Sequence, residues 1–215
     1  ELHGYTTWNS ATHEIPERVI LKNNIFPTMF QLLRDAQPEA EIGCIYEWDG
    51  IKYVIDTLST SYHEMVHPEK IYTDEMAKMS VKYIKEKKPV LGAFIFDNPD
   101  HVGHDAGHDT PAYYANLKEL DGYIGQIIQA TKDAGIYENC IFIVTSDHGG
   151  IDHGHGGKTL EEINTPFIIA GKGVKKGGEF QESMMQFDCA PTVLEIFGLE
   201  GPQVWVGRSM SQVFE

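Results

Sequence analysis

The chain has 215 residues, 41% of them hydrophobic and 23% charged, and no run approaches the ~18 consecutive apolar residues of a membrane helix. That length supports one α/β domain with a sizeable core. A net charge of −15 excludes the basic surface on which non-specific nucleic-acid binding depends.

Residues 1–24 are polar and irregular. Asn24 to Ala36 is predicted as a helix, with Phe26, Met29, Phe30 and Leu33 on one face and Pro27 in the first turn, where its missing N–H is harmless. Glu41 to Glu47 is expected as a short strand, and Gly50 to Asp56 as a second that pairs with it. Thr73 can cap a helix over Asp74 to Lys87, which Pro89 stops. Val90 to Phe96 is a near-continuous apolar run, the pattern of a strand buried on both faces, and a polar loop from Asp97 to Asp109 follows it. Thr110 caps the next helix with Pro111 in its first position. Tyr113, Leu117, Leu120, Ile124 and Ile127 keep helical spacing, and Gly135 ends the helix. Ile141 to Thr145 is a further buried strand, Ser146 to Lys158 a loop, Pro166 to Ala170 a strand, and Ala190 to Phe197 a short helix closed by Gly198.

This order predicts one α/β domain over residues 1–215, an open and mostly parallel sheet with helices on both faces. Ligands of such sheets bind beyond the carboxyl ends of the strands. Two polar loops are placed there, one after Phe96 and one after Thr145. The first reads Asp97-Asn98-Pro99-Asp100-His101-Val102-Gly103-His104-Asp105-Ala106-Gly107-His108, the second Ser146-Asp147-His148-Gly149-Gly150-Ile151-Asp152-His153-Gly154-His155-Gly156-Gly157. Six of the chain's ten histidines lie in these two segments. Imidazole and carboxylate together hold zinc or manganese while leaving a coordination position open. A single histidine in such a loop is most simply a solvated side chain; two clusters, each directly after an apolar strand, point to a metal centre. His3, His13, His63 and His67 have no such setting and read as surface residues. Cys44, Cys140 and Cys189 are not spaced as metal ligands and do not define a redox compartment.

Pro99-Asp100-x-x-Gly103-His104 followed by Ser146-Asp147-His148-Gly149 resembles the alkaline phosphatase superfamily, nearest its type I phosphodiesterase/nucleotide pyrophosphatase branch. Leu2-His3-Gly4, Asp188-Cys189-Ala190-Pro191-Thr192 and Gly207-Arg208-Ser209-Met210 extend the resemblance, while residues 37–70 match only loosely. The resemblance implies two divalent metals, zinc by the ligand types. Asp100, His104 and His155 would hold one, and Asp147 and His148 would contribute to the other. His153 competes with His155, and the Gly154-His155-Gly156-Gly157 setting selects His155; His108 competes in the same way with His104. Asp97 reads as a strand-end structural carboxylate, Asp152 as a loop cap, and Lys158 as a group that could reach a phosphate.

The family pattern also has an aspartate at the end of a first strand and a Thr or Ser nucleophile, both ahead of a segment like Glu1-Leu2-His3-Gly4. The expectation is therefore that the N-terminal part of the fold is missing and the nucleophile lies upstream of Glu1. The chain would then be the C-terminal portion of a larger catalytic domain, inactive alone, with an incomplete second metal site. The implied activity is hydrolysis of a small-molecule phosphate ester, in an exported enzyme (periplasmic or secreted). A sulfatase would carry Asn or Gln beside the aspartate where this chain has His148, and would use calcium, which prefers oxygen ligands. A phosphosugar mutase has an overlapping ligand set. A non-enzymatic binding domain with incidental histidines is the alternative of another class. Trp8 and Trp48 are candidates for stacking on a base or sugar.

Overall fold

The computed structural model describes residues 27–66 and 73–215. The expectations for residues 1–26, which include the helix start at Asn24 together with His3, Trp8 and His13, lie outside that range, as do those for His67 and the side-chain cap from Thr73.

The first described helix, α1, is Met29–Ala36. It begins later than the apolar spacing predicts, because the Thr28 hydroxyl accepts the Gln31 N–H at 3.1 Å and so fixes the start. Pro27 therefore stands ahead of the cap and not in the first turn. Strand β1, Ile42–Tyr46, follows, and all five of its residues are buried. Residues Gly50 to Asp56 are not a strand: Asp49–Tyr53 forms a 3-10 helix that delivers Ile51 and Ile55 together to the core. The strand that pairs with β1 is instead β2, Tyr62–Met65, which runs parallel to it from Gly43↔Tyr62 to Tyr46↔Met65.

Helix α2 (Thr73–Lys87) leads to β3 (Leu91–Ile95), parallel to β1 on its other side. The segment after β3 is not all loop, because Asp100–Ala106 forms a short helix, α3. Helix α4 (Pro111–Asp133) starts as expected, with Thr110 Oγ1 accepting the Tyr113 N–H and Pro111 in the first turn, and Gly135 follows it at φ +72°. Strand β4 (Ile141–Thr145), helix α5 (Leu160–Ile163), strand β5 (Phe167–Gly171) and helix α6 (Cys189–Ile196) complete the series. β5 pairs with β4 antiparallel. The described strands thus form a parallel sheet in the order β2-β1-β3 and a separate antiparallel pair β4-β5.

Helices cover both faces of the parallel sheet. On one face Ile42, Cys44 and Tyr46 pack with Phe30 and Leu33 of α1 and Ala190 of α6. On the other, Ile45 meets Met76 and Tyr83 of α2. Beyond α2, Ile84 packs with Ile127 and Ala130 of α4 against Phe94 and Phe96. Complete burial was expected of β3 and β4, yet their residues are mostly half-buried. The fully buried strand is β1, which alone among the described strands has a neighbour on each side. Among the described residues no helix is long and apolar enough to cross a membrane.

Candidate metal centre

Helix α3 sets the first half of the site. Asp100 and His104 are four residues apart on it, so their side chains share a face, and His104 Nε2 lies 3.2 Å from Asp100 Oδ2. The loop after β4 brings the second half. His155 Nε2 lies 3.6 Å from Asp100 Oδ1, and the ligand atoms of Asp100, His104 and His155 all fall within 4.8 Å of one another. Nitrogen and oxygen ligands bonded at 2.0–2.1 Å to one tetrahedral zinc lie about 3.3 Å apart. The 3.2 and 3.6 Å contacts of the Asp100 carboxylate with His104 and His155 are close to that spacing.

The carboxylate itself points to a missing charge partner. Asp100 Oδ1 is shielded from solvent and has no hydrogen-bond partner among the described residues. A buried carboxylate oxygen in that condition carries a large desolvation penalty unless a cation compensates it. Nearby, Asp97 is pushed above the usual carboxylate range by burial first, and then by the charges of Asp100 and Asp147. Tyr113 is raised by burial and by Asp100. The donor set is thus a concentration of negative charge that a divalent ion fits.

Asp147 and His148 stand directly after β4, with His148 Nε2 3.6 Å from Asp147 Oδ2. The His148 ring stacks on that of His155, with 3.7 Å between centroids and 19° between planes. The residues expected at the two metal positions therefore adjoin each other. His153 does not join the group; its ring faces the His104 carbonyl. His108 also stays outside it, with Nε2 3.9 Å from Asp100 Oδ1. Asp152 contributes its carbonyl rather than a side-chain cap, accepting from the His108 N–H and facing Nδ1. Lys158 is exposed, and Trp48, at the carboxyl end of β1, is 44% exposed.

The second loop is fastened by a residue that sequence reading passed over. Glu162, 8% exposed, accepts the Gly157 N–H at 2.7 Å, the Thr159 N–H at 3.2 Å and the Thr159 hydroxyl at 2.7 Å. Its signal was present as the spacing Thr159-x-x-Glu162, a capping box ahead of α5. Glu47 was also missed. It lies 6% exposed at the end of β1, and its Oε2 accepts the Asp97 N–H at 2.9 Å.

A model of the type I phosphodiesterase/nucleotide pyrophosphatase family matches residues 8–185. The chain belongs to this family. Individual relatives match shorter segments. Human ectonucleotide pyrophosphatase/phosphodiesterase family member 5 is 33% identical over 89 residues, which is 40% of this chain and 18% of the relative. A 2,3-bisphosphoglycerate-independent phosphoglycerate mutase of Cereibacter sphaeroides is 34% identical over 119 residues, 54% of this chain and 22% of that one. Arylsulfatase K of Danio rerio is 33% identical over 92 residues, 40% and 18%. The matched segments thus span about a fifth of these relatives' length. In structure, a Bacteroides thetaiotaomicron protein assigned as a sulfatase superposes with a TM-score of 0.66 at 18% identity, covering 95% of this chain and 59% of that one. Its likeness establishes the α/β fold.

Within this phosphodiesterase-family chain, the two C-terminal segments picked out by resemblance bind each other. Asp188, 2% exposed, accepts the N–H of Met185 at 2.8 Å and that of Arg208 at 2.9 Å. The Thr192 hydroxyl donates to the Asp188 carbonyl and accepts the Met210 N–H. Gln186 then donates to the Ser146 carbonyl at 2.6 Å, connecting this unit to the start of the second site loop.

Proposed function

We propose that the chain carries the metal centre of a phosphate-ester hydrolase of the phosphodiesterase/nucleotide pyrophosphatase type. Asp100, His104 and His155 are its ligands for one divalent ion, and Asp147 with His148 contributes to a second. The observation that carries this reading is that ligand atoms of Asp100, His104 and His155 lie within 4.8 Å of one another, beside a shielded Asp100 Oδ1 with no hydrogen-bond partner among the described residues. The imidazole-rich donor set suits zinc better than calcium.

Bound divalent ions supply Lewis-acid polarisation of phosphoryl oxygens and a positive field for an anionic substrate. The residues of this chain would position those ions. Asp100 and His104 present ligands from a helix whose geometry is fixed before the ion arrives. His155 closes the group from the opposite loop, and its stack on His148 sets the two metal positions side by side. In a chain of net charge −15, local inversion of sign at this centre is what admits a small phosphate ester.

Zinc titration of metal-free protein by calorimetry tests the assignment. Wild type should bind zinc, and His104→Ala and His155→Ala should each abolish tight binding; unchanged metal content in both variants would overturn the metal centre. The matches to arylsulfatase K sustain a second reading, a sulfate-ester hydrolase. Assay of the metal-loaded whole protein, nucleophile included, on bis-nitrophenyl phosphate, nitrophenyl phosphate and nitrophenyl sulfate separates the two. Turnover of the sulfate alone would remove the phosphate reading.

A further inference from the structure

The two site loops are joined by hydrogen bonds that leave the carboxylates untouched. His104 Nδ1 lies 2.9 Å from the His153 carbonyl oxygen, and His153 Nδ1 lies 2.9 Å from the His104 carbonyl oxygen. The backbone N–H of His108 donates to the Asp152 carbonyl at 2.6 Å, and His108 Nδ1 lies 3.1 Å from the same oxygen. A carbonyl oxygen only accepts, so each of these ring nitrogens carries a proton. A neutral imidazole protonated at Nδ1 offers its lone pair at Nε2. In His104 that Nε2 is the atom facing Asp100.

His108 adds a steric lock. Its side chain is only 7% exposed, and its ring lies against Gly103, the residue before His104, and Gly150, two after His148. A Cβ on either glycine would fall 2.4 or 2.1 Å from His108 Nε2. Asp152, at φ +50°, adopts the left-handed conformation that Asp tolerates better than most residues. Paired hydrogen bonds between Ile151 and Gly154, 2.9 and 3.0 Å, close the turn that carries the Asp152 and His153 carbonyls.

We propose that His108 and His153 are positioning residues, which dock the second loop onto α3 and hold His104 in ligand geometry before any ion binds. The proposal rests on Asp100, His104 and His155 being metal ligands. Its physical content is preorganisation: the loops are ordered by protein–protein bonds, so an entering ion does not have to order them.

The test is titration of metal-free wild type, His153→Ala, His153→Asn and His108→Ala with zinc and with cobalt(II), whose visible absorption reports coordination geometry. Circular dichroism checks folding. Both alanine variants should fold, lose roughly 10- to 100-fold in zinc affinity, as is usual when a ligand's supporting partner is removed, and show an altered cobalt band. His153→Asn, whose amide can reach the same carbonyl, should recover most of the affinity and the wild-type band. If His108→Ala does not fold, the pair of variants at the exposed His153 decides alone. Wild-type affinity and an unaltered cobalt band in the alanine variants would overturn the positioning role while leaving the metal centre intact. A wild type that binds neither ion would overturn the metal centre, and this inference with it.

Discussion

The imidazole of His155 lies between Asp100 and His148, 3.6 Å from the Asp100 carboxylate on one side and stacked at 3.7 Å on the His148 ring on the other. Its loss should therefore be felt twice. His155→Ala is expected to lower zinc affinity at the Asp100 site by more than the ~100-fold typical of losing a ligand's supporting partner, and also to free the His148 ring to rotate. Chemical shifts of the His148 ring protons in metal-free protein would register the second effect. Unmoved His148 resonances would show that the stack is not a constraint.

Glu162 fastens the loop that carries His155. The Thr159 hydroxyl, followed by the Gly157 and Thr159 N–H groups, holds its carboxyl below the usual Glu range. A lowered folded-state value means stability that is fully present above the unfolded value and lost as pH falls through the folded one. Glu162→Gln should accordingly melt below wild type at neutral pH, with the gap closing on acidification. Thermal melts at a series of pH values check this.

Glu47 has the opposite sign. Burial raises its carboxyl, and the Asp97 N–H only partly offsets this. Its Oε1 is buried without a partner among the described residues. The folded chain then binds more protons than the unfolded one across that interval, so stability falls as pH rises from the ordinary Glu value through the raised one. Glu47→Gln keeps an acceptor for Asp97 and removes the charge. It should be more stable than wild type at pH 7–8 and lose the advantage in acid, as urea midpoints at two pH values would reveal.

Gly103 offers a test of packing around His108. A glycine within a helix costs about 1 kcal/mol relative to alanine, so Gly103→Ala on α3 should stabilise the protein if space were open. The alanine Cβ would instead meet the His108 ring at 2.4 Å, and the single variant should destabilise. Combined with His108→Ala, the same change should become neutral or stabilising. A double-mutant cycle showing no coupling would contradict the wedge geometry.

Much of the fold was legible because its signals were local. The apolar runs ending at Phe96 and Thr145, the Thr110-Pro111 start and the Gly135 stop each declared themselves within a few residues. Ile51, Tyr53 and Ile55 alternate like a strand, yet a 3-10 turn buries Ile51 and Ile55 in one cluster. β2 was invisible because Tyr62-His63-Glu64-Met65 is a short sheet-edge strand with an exposed centre. α3 was hidden for a related reason: Asp100-His101-Val102-Gly103-His104 has no apolar stripe. Proximity of the two loops was inferable from strand-end logic, and the structure brings Asp100, His104 and His155 together. The reciprocal contacts of His104 with His153 were not inferable, because they run to backbone carbonyls 49 residues away.

The break between the β2-β1-β3 sheet and the β4-β5 pair gives the site a mechanical meaning. Asp100 and His104 belong to the arm that continues β3, and His155 to the arm that continues β4, so an ion shared by them would act as a further rivet, beside the His104–His153 and His108–Asp152 bonds, across a seam that no strand pairing among the described residues closes. Since those bonds already dock the loop without an ion, their loss, as in His153→Ala, rather than stripping of the metal should be felt first as protease sensitivity in residues 146–158, while the β1 core and its helices keep their circular dichroism.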